Sequence, residues 1–436
     1  MSYNDSDMTH ASPSLDEIAS CLSGYNPDDL PVEQAKAFID QLVPRLDAVE
    51  TLPLRAALGR VLARDILSTL NVPAHDNSAM DGYALRGADL NPNADTVLAL
   101  VGTGHAGDTP HQAVASGQCV RIMTGAVIPA GLDTVIPQEF VRCDGNQIII
   151  PAGAVRPGDN RRLAGEDLAL GQPALTAGRT LRPADLGFLA SLGLAEIPVV
   201  RRLRVAFFST GNELRSVGQP LDAGCVYDSN RYTLWGMLTR LGVEPLDMGV
   251  VRDDPHALEA AFLQAASNAD VVITSGGVSV GEADHTKTVM AKLGEVLFWR
   301  IAMRPGRPMA VGRINTPGHS AVLFGLPGNP VAVMVTFYAL VRDALLAMAG
   351  VRHSAIPLLR CVSTTPMRKR AGRTEFQRGI VSRAADGSWQ VNTTGSQGSG
   401  VLRSMSEADG LIVLPHDLDG VAAGDIVDVL PFHGLI

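Results

Sequence analysis

The stretch VVITSGGVSVGEAD, residues 271–284, combines residue types that could bind a phosphate. It begins with β-branched residues, as a buried strand does, and continues through a Gly-Gly turn to Asp284. Glycine lets the main chain approach a ligand closely, and successive N–H groups at the start of a helix attract anions. FFSTGNEL at residues 207–214 and LFGLPGNP at 323–330 end in a similar way. The three segments therefore predict a phosphate-binding site built from turns at strand ends.

Two acidic residues, Asp284 and Glu213, would repel a phosphate in this site unless a cation lay between them. Mg²⁺ is such a cation, because it binds through one or two carboxylates together with substrate phosphates. The pattern therefore indicates a magnesium-phosphate site. A lone Asp before a helix more often only caps that helix, and this alternative stays open for Asp284. Arg304 and Arg307 in AMRPGRP add positive charge that suits phosphate and other oxyanions.

Length and composition limit the class of protein. The chain has 436 residues, which is enough for roughly two to four domains. Its net charge of −9 argues against general nucleic-acid binding, which needs a basic surface. No apolar run is expected to reach the roughly 18 residues that span a bilayer, and the polar N-terminus lacks a signal-peptide core. Five scattered cysteines without a CxxC pair argue against a disulfide framework or a zinc ribbon. The sequence thus predicts a cytoplasmic protein with neither nucleic-acid nor membrane partners.

The elements that must position these residues follow from the hydrophobic pattern. Strand and helix patterns alternate between residues 203 and 345, which predicts a doubly wound, mostly parallel sheet. Residues 71–154 and the chain after residue 350 hold short β-rich runs broken by Gly and Pro, which predicts two β-domains. Near the N-terminus, SLDEIASCLSG predicts a helix with Ser14 and Glu17 as its capping box. Ligands bind outside the carboxyl ends of strands in a doubly wound sheet, and the three glycine-containing segments lie at such ends.

Two further patterns have weaker functional interpretations. VGTGHAGD, residues 101–108, matches the GxGxxG dinucleotide fingerprint, but the sequence behind it lacks the apolar stripe of a helix. A β-domain loop is therefore the preferred interpretation of this segment. Arg161 and Arg162, which precede Glu166 and Asp167, are more typical of solvated surface than of an anion site.

From about residue 30 to its end the chain resembles the MoeA family, the molybdopterin molybdenumtransferases. Seven segments appear in the order and approximate spacing of that family, and a chance match of all seven is implausible. They are PAHDNSAMDGYALR, VRIMTGAVIP, NRRLAGEDL, FFSTGNEL, YDSNRY, VITSGGVSVGEADHTK and GLPGNPVAVMVTF. The residues before this region look like an extension whose role the sequence does not indicate.

The resemblance implies an L-shaped subunit of four domains that forms a homodimer. Each active site is implied to lie in the cleft between one subunit's doubly wound domain and the other subunit's β-domain. The implied fold class is multidomain α/β plus all-β, with a molybdopterin-binding doubly wound domain. The expected regions are an N-terminal extension (1–29), an elongated linking domain (30–70 and 155–200), a β-rich domain (71–154), the doubly wound domain (201–350) and a C-terminal β-barrel-like domain (351–436).

The resemblance also implies a reaction. Members of the family insert molybdenum from molybdate into the dithiolene of adenylylated molybdopterin and release AMP, with Mg²⁺ assisting. The chain is therefore expected to be a transferase of molybdenum cofactor biosynthesis. The molybdopterin adenylyltransferase and downstream molybdoenzymes, or their chaperones, are implied as further partners.

Functional positions of the family are carried over only where their motif is present. Asp81, Thr124, Glu213 and Asp284 are the implied catalytic residues, and Glu213 and Asp284 are also the expected metal ligands. Substrate binding is expected, from the strand-end pattern or from the resemblance, at Asp167, Ser209, Thr210, Gly211, Asp253, Ser275, Gly276, Gly277, Ser279, Gly281, Arg304, Arg307, Pro327, Gly328, Asn329 and Pro330.

The sequence leaves alternatives open. Asn212 stands where many relatives have Asp in STGDE, so it keeps the shape of that side chain but loses the charge, which argues against metal ligation by this position. A molybdopterin-binding carrier or scaffold without insertase turnover is the alternative function, since animal relatives include gephyrin, a receptor scaffold with this fold. The related adenylyltransferase is a further alternative, but it would not need residues 30–200. Intact Asp81, Glu213 and Asp284 favour catalysis.

Overall fold

The computed structural model describes residues 13–108, 113–278, 285–352 and 355–432. The α-helices in these residues are α1 (Leu15–Ser20), α2 (Val32–Leu42), α3 (Pro183–Ser191), α4 (Asn230–Arg240), α5 (Pro255–Asn268), α6 (His285–Leu293), α7 (Pro330–Thr336), α8 (Arg342–Met348) and α9 (Arg403–Glu407). The β-strands are β1 (Val49–Pro53), β2 (Ile66–Leu67), β3 (Asn77–Ser78), β4 (Gly82–Leu85), β5 (Thr96–Gly104), β6 (Gln118–Ile122), β7 (Thr134–Pro137), β8 (Arg142–Asp144), β9 (Gln147–Ile150), β10 (Arg161–Arg162), β11 (Pro173–Leu175), β12 (Glu196–Val200), β13 (Arg204–Thr210), β14 (Leu214–Arg215), β15 (Val226–Tyr227), β16 (Glu244–Val251), β17 (Val271–Ser275), β18 (Gly294–Arg300), β19 (Met303–Arg304), β20 (Pro308–Thr316), β21 (His319–Leu326), β22 (Leu359–Ser363), β23 (Thr374–Arg383), β24 (Trp389–Thr393), β25 (Gly410–Leu414) and β26 (Ile426–Pro431).

The doubly wound domain is built on a six-stranded sheet of order β16-β13-β17-β21-β20-β18. The first four strands are parallel and the last two are antiparallel to their neighbours, which confirms the predicted fold class. Alternate residues of β13 pack on opposite faces of the sheet, as the pleat requires. Val205 and Phe207 pack with α4 and α7, whereas Ala206 and Phe208 pack with α5 and α6. β20 was not predicted from the sequence, because a proline begins it and Gly312 interrupts its apolar run.

One helical segment, Pro330–Met348, is long and apolar enough to cross a membrane by length and composition, with a mean hydropathy of 1.8. Such a run was not expected from the sequence, because Arg342 and Asp343 lie within it. The segment consists of α7, a π-helical turn at Phe337–Val341, and α8. In the fold 72% of its most apolar window is buried inside the protein. It packs against β21 and α2, as the core helix of a doubly wound domain does.

The N-terminal residues and the linking region pack against this domain. α1 has the predicted capping box, in which the Ser14 hydroxyl accepts from the Glu17 N–H and the Glu17 carboxylate accepts from the Ser14 N–H. Leu15 and Ile18 of α1 are buried in the same apolar cluster as α2 and the sheet. In the linking region β1 pairs with β12 and β2 with β11, both antiparallel, and β10 pairs with β3 at the start of the β-rich domain. The first two pairs join chain segments on either side of the β-rich insertion.

Two further six-stranded sheets account for the predicted β-domains. The first has the order β7-β4-β6-β5-β9-β8 and belongs to the β-rich domain. The GxGxxG match lies at the end of β5 and in the turn after it, within this sheet. The second has the order β19-β23-β24-β22-β26-β25, and an additional pairing of β23 with β25 closes five of its strands into a barrel. This barrel confirms the predicted C-terminal fold, and β19 ties it to the doubly wound domain.

Candidate active site

The ends of β13, β17 and β21 bring the three predicted turns together. These strands are adjacent and parallel, with Ser209 opposite Ser275 and Ser275 opposite Leu326. The Gly276 N–H donates to the Leu326 carbonyl oxygen at 3.1 Å, which ties the second turn to the third. Because parallel strands end at the same edge, the turns after them face one space.

A cleft of about 670 Å³ opens at this edge of the sheet. A volume of this size is typical of sites for small molecules and cofactors, which run from roughly 300 to 1,000 Å³. Many of the predicted site residues line it, namely Thr210, Gly211, Glu213, Asp253, Ser275, Gly276, Gly277, Arg304, Arg307, Pro327, Gly328 and Asn329. The doubly wound domain thus supplies most of the cleft that the sequence predicted.

The Gly276-Gly277 turn requires glycine at both positions. Gly276 has a φ of +90°, and a Cβ atom there would lie 2.6 Å from the Thr210 carbonyl oxygen. Gly277 has a φ of +69°, and its Cβ would lie 2.4 Å from the Thr286 hydroxyl. Side chains would therefore push the neighbouring strand end and α6 away. Their absence leaves main-chain groups on the surface of the cleft, as a phosphate site needs.

Two predicted residues of the strand ends support the cleft without lining it. Ser209 is 1% exposed, and its hydroxyl donates to Asp228 Oδ1 at 3.0 Å. Pro330 is the first residue of α7, a position at which a missing N–H costs nothing. Ser279, Gly281 and Asp284 lie outside the described residues, so their roles stay predictions.

Carboxylates occupy one part of the cleft. Glu213 and Asp253 both line it, and the Asp253 N–H donates to Asn212 Oδ1 at 3.3 Å. Asp253 Oδ1 is buried and has no hydrogen-bond partner among the described residues. Hard carboxylate oxygens are the ligands that Mg²⁺ prefers, and one or two of them suffice where phosphates complete the shell. No group of three or more potential metal ligands occurs in the described part of the chain. The pair therefore suits an ion such as Mg²⁺, which takes few ligands from the protein and the rest from phosphates and water.

Arginines of the doubly wound domain and of the C-terminal barrel line the cleft. Arg304 and Arg307 flank Gly306, where a Cβ atom would lie 2.3 Å from the Thr336 hydroxyl, so this turn packs closely on α7. Neither arginine has an ion-pair partner within the described ranges. Arg373 reaches the cleft from the C-terminal barrel and pairs with Glu375 at 2.7 Å. The two unpaired guanidinium groups leave this part of the cleft suited to an anion.

The loop at residues 394–400 of the barrel is a part of the site that the sequence did not reveal. Gln397 and Ser399 of this loop line the cleft, and the Ser399 carbonyl oxygen accepts from the Val331 N–H at 3.1 Å. The contact joins the barrel to the start of α7. It depends on docking of distant segments, so no local pattern in the sequence could indicate it.

Arg378 is a buried residue of the barrel that holds this loop in place through hydrogen bonds. It is 1% exposed, and its guanidinium donates to Ser404 Oγ and the Gly398 carbonyl at 3.0 Å and to the Ser396 carbonyl at 3.3 Å. Burial and the nearby charge of Arg304 lower the pKa of Arg378 to about 10. The only sequence signal was an arginine inside the otherwise strand-like stretch EFQRGIVSR.

Three predicted residues lie on the β-rich and linking domains and do not line this cleft. Thr124 donates from both its N–H and its hydroxyl to Asp81 Oδ1, each at 2.7 Å. The hydrogen bond from the Thr124 N–H, followed by that from its hydroxyl, lowers the pKa of Asp81. Both side chains are exposed, and Asp167 is exposed as well. The structure therefore brings Asp81 and Thr124 together, but apart from the cleft of their own chain. Arg161, in contrast, pairs with Asp76 at 2.9 Å within the linking region.

Comparison with known proteins extends this description. Family models match as the MoeA N-terminal region (domain I and II) over residues 30–193, a probable molybdopterin binding domain over 206–347 and the MoeA C-terminal region (domain IV) over 360–432. Molybdopterin molybdenumtransferase of Haemophilus influenzae is 41% identical over 408 residues, with 93% of this chain and 100% of the relative covered. The enzyme of that name from a Nostoc species is 38% identical, with coverage of 92% and 93%.

Solved structures give the same result. A crystal structure of a molybdopterin biosynthesis MoeA protein from Pyrococcus horikoshii has a TM-score of 0.75 at 31% identity, covering 93% of this chain and 100% of that one. A second structure from that organism has a TM-score of 0.80 at 28% identity, with coverage of 92% and 100%. With this fold, this cleft and these relatives, the chain belongs to the molybdopterin molybdenumtransferase family.

Proposed function

We propose that the protein is a molybdenum insertase of molybdenum cofactor biosynthesis. It transfers molybdenum from molybdate into the dithiolene of adenylylated molybdopterin and releases AMP. The observation that carries the proposal is the combination, in one cleft at the strand ends, of a glycine turn, two carboxylates and two arginines. A phosphoanhydride and molybdate are both anions, so a site that holds them together needs this balance of charge.

The pyrophosphate of the pterin nucleotide binds at the Gly276-Gly277 turn. The positive φ angles of these glycines allow the main chain to approach phosphate oxygens without interference from side chains. Thr210 and Gly211 on one side and Gly328 on the other are further cleft residues within reach of the same ligand. Ser279, Gly281 and Asp284, which lie outside the described residues, are proposed to complete this site.

Glu213, Asp253 and Asp284 are proposed as magnesium ligands. The buried, unpartnered Asp253 Oδ1 supports this set, because a buried carboxylate oxygen without a partner costs free energy unless a ligand satisfies it. When bound, Mg²⁺ offsets the charge of the phosphates and of the leaving AMP. The side-chain oxygen of Asn212 accepts a hydrogen bond from the Asp253 N–H. An Asp at position 212 could accept the same hydrogen bond but would add a negative charge.

Molybdate binds on the arginine side of the cleft. Neither Arg304 nor Arg307 has an ion-pair partner among the described residues, and the positive charge of Arg304 is one cause of the lowered pKa of Arg378. Ser399, in the loop that Arg378 holds in place, adds a hydroxyl group at the same wall. These groups would orient a tetrahedral oxyanion beside the pterin nucleotide.

The protein is proposed to act as a homodimer, in which Asp81 and Thr124 of one subunit complete the cleft of the other. Tyr232 and Trp235 support this, because they lie on one face of α4 and are 52% and 50% exposed. Val226 is exposed as well, and it pairs with Leu214, which lines the cleft. An exposed apolar surface beside an incomplete site suits a second copy of the chain.

The reaction also implies the neighbouring steps. An adenylylated substrate must come from an enzyme that transfers an adenylyl group, and the finished cofactor must pass to apo-molybdoenzymes or their chaperones. We therefore propose contacts with the molybdopterin adenylyltransferase and with these acceptors, in the cytoplasm.

AMP release from adenylylated molybdopterin by the purified protein tests the proposal. Release is expected to require both molybdate and Mg²⁺, and the product is expected to reconstitute an apo-molybdoenzyme. Leaving out either component is the control for each requirement. Tight binding of the pterin nucleotide without release of AMP would contradict insertase turnover and indicate a carrier or scaffold.

A further inference from the structure

Asn230 occupies a central place in the cleft that neither the strand-end pattern nor the resemblance assigned. It is the first residue of α4, it lines the cleft, and it is only 8% exposed. Its Nδ2 group donates to Ser275 Oγ and to the Gly328 carbonyl oxygen, both at 2.7 Å. One side chain thus joins the start of a helix to the ends of two neighbouring strands.

These contacts fix the orientation of the amide. A carbonyl oxygen can only accept, so the nitrogen of Asn230 must face Gly328 and the oxygen must face away from it. Ser275 agrees with this orientation, because its hydroxyl lies 3.5 Å from the Pro327 carbonyl oxygen, to which it donates while accepting from Asn230.

The amide oxygen of Asn230 is left without a partner. Oδ1 is buried, and no donor within the described residues reaches it. Buried polar atoms in folded proteins nearly always have a hydrogen-bond partner, because an unsatisfied one costs free energy. Since the side chain lines a cleft that is proposed to hold a ligand, the missing donor is expected to belong to that ligand.

We propose that Asn230 Oδ1 accepts a hydrogen bond from an N–H or O–H group of the bound pterin nucleotide. The inference rests on the proposed function. Ionised phosphate oxygens carry no donor, so the partner belongs to the organic part of the ligand, a pterin N–H or a ribose hydroxyl. A neutral amide oxygen can approach such a group beside the pyrophosphate without the repulsion that a carboxylate would cause. Asn230 therefore selects the organic part of the ligand while its nitrogen positions the turns.

The first test compares two ligands on one variant. Asn230→Ala is expected to weaken binding of adenylylated molybdopterin by about 10-fold or more, because a donor of the ligand loses its acceptor. Binding of inorganic pyrophosphate is expected to change less than about threefold, since pyrophosphate has no group for Oδ1. Thr233→Ala, on the same helix, serves as the control, because among the described residues the Thr233 hydroxyl bonds only to the Ser229 carbonyl oxygen. Equal weakening of both ligands would indicate a purely structural role and overturn the proposal.

Asn230→Asp keeps the inference testable if the alanine variant fails to fold. An ionised carboxylate would repel the Gly328 carbonyl, whereas a protonated carboxyl donates to it and keeps an acceptor for the ligand. The kcat/KM of this variant, relative to the unmodified protein, is therefore expected to rise as pH falls from 8 to about 6. A ratio that falls as pH falls would contradict the proposal, because the protonated carboxyl offers the same donor and acceptor as the amide.

The outcomes separate this inference from the proposed function. Failure of the unmodified protein to release AMP would remove the proposed function itself. Normal AMP release by the unmodified protein, with unchanged KM and kcat in Asn230→Ala, would remove only the role of Asn230.

Discussion

Asp253 shows how a single atom can indicate a ligand. Its Oδ1 is buried without a partner among the described residues, while its main-chain N–H is held by Asn212. A carboxylate that served only to cap a helix would have that oxygen bonded to a main-chain N–H. The neighbouring Asp254 does so, since its Oδ1 accepts from the N–H groups of His256 and Ala257 at 3.1 and 2.9 Å. Asp253 is thus free to bind a cation.

Asp253→Asn is accordingly expected to raise the Mg²⁺ concentration for half-maximal AMP release by about 10-fold. The amide keeps the shape of the side chain but replaces one anionic oxygen by a donor, which cannot bind a cation. Titration of AMP release with Mg²⁺ measures the effect. Asp254→Asn is the matched control, because it leaves the helix capped and is expected to leave the Mg²⁺ titration unchanged. An unchanged titration in Asp253→Asn would remove this residue from the metal site.

Arg378 is the second residue at which local contacts predict a functional effect. Arg378→Met would leave the carbonyl oxygens of Ser396 and Gly398 without their donor and release the loop that carries Gln397. The KM for molybdate is expected to rise about 10-fold or more, and the free energy of unfolding to fall by about 2–4 kcal/mol. Arg383→Met on the same strand is the control, since Arg383 lies exposed over the Trp389 ring. A variant with lower stability but an unchanged KM would show that the loop does not act on molybdate.

The residue types in the cleft were predictable only where they belong to a strand end of the doubly wound sheet. Glycine and hydroxyl residues followed by an acid form a local pattern, so Thr210, Glu213 and Gly276 could be proposed from the sequence. Arg373 and Gln397 could not, because they reach the cleft only when the barrel docks on α7. Such contacts between distant segments leave no periodic signal along the chain.

At the scale of elements, the Gly276-Gly277 turn joins β17 to the segment before α6 and sets the distance between two strand ends. Gly276→Ala is expected to lower the free energy of unfolding by more than the roughly 1–2 kcal/mol that a left-handed φ alone costs, because its Cβ would also meet the Thr210 carbonyl oxygen. Gly318→Ala is a matched control, since Gly318 has a φ of +78° but open space around its Cβ position. Urea denaturation of both variants measures the difference, and equal losses would show that the close approach of the strands is unimportant.

Asp270 ties the segment between β12 and β13 to the start of β17. Arg201 donates to both its carboxylate oxygens at 2.8 and 3.0 Å, and the Arg204 N–H donates at 2.8 Å. Burial raises the pKa of Asp270, but the hydrogen bonds from Arg201 and from the Arg204 N–H outweigh burial and lower it overall. A carboxyl with a lowered pKa in the folded state adds stability above its unfolded pKa of about 3.9, and this stability is lost as pH falls through the folded value.

Asp270→Asn is therefore expected to lower the free energy of unfolding by about 2–3 kcal/mol at pH 7 and by progressively less below about pH 4. Denaturation at a series of pH values measures this difference. Asp222→Asn, which breaks an exposed pair with Arg215, is expected to change stability by less than about 1 kcal/mol. A loss at Asp270 that is independent of pH would contradict the contribution of its charge.

The elements themselves were largely predictable because caps and periodicity are local. The capping box of α1, the Asp254 cap of α5 and the proline at the start of α7 were all present in the sequence and in the fold. β20 was not predicted, because its composition does not mark it as a strand. Its antiparallel pairing with β18 and β21 makes it one. β19 was not predicted for a related reason. It has only two residues, Met303 and Arg304, and they form a strand by pairing with β23, which is distant in the sequence.

At the scale of the whole molecule, Asp81 and Thr124 form an ordered, exposed pair that does not line the cleft of its own chain. Trp235 lies on α4, the helix whose first residue, Asn230, lines the cleft, and it is 50% exposed. Both features are explained if two subunits associate about a twofold axis. The Asp81–Thr124 pair of each subunit would then lie at the cleft of the other subunit. One active site would contain Asp81 from one subunit and Glu213 from its partner.

Mixed dimers test this arrangement. Asp81→Asn and Glu213→Gln are each expected to abolish AMP release alone, because every site in either homodimer lacks one group. A purified heterodimer of the two variants has one site with both changes and one site with neither, so about half of the unmodified activity is expected to return. A heterodimer in which one subunit carries both changes and the other carries neither is the matched control, since every shared site then has one change and no activity is expected. An active site within one chain predicts the reverse, with no activity in the first heterodimer and about half in the control, and that result would refute the shared site.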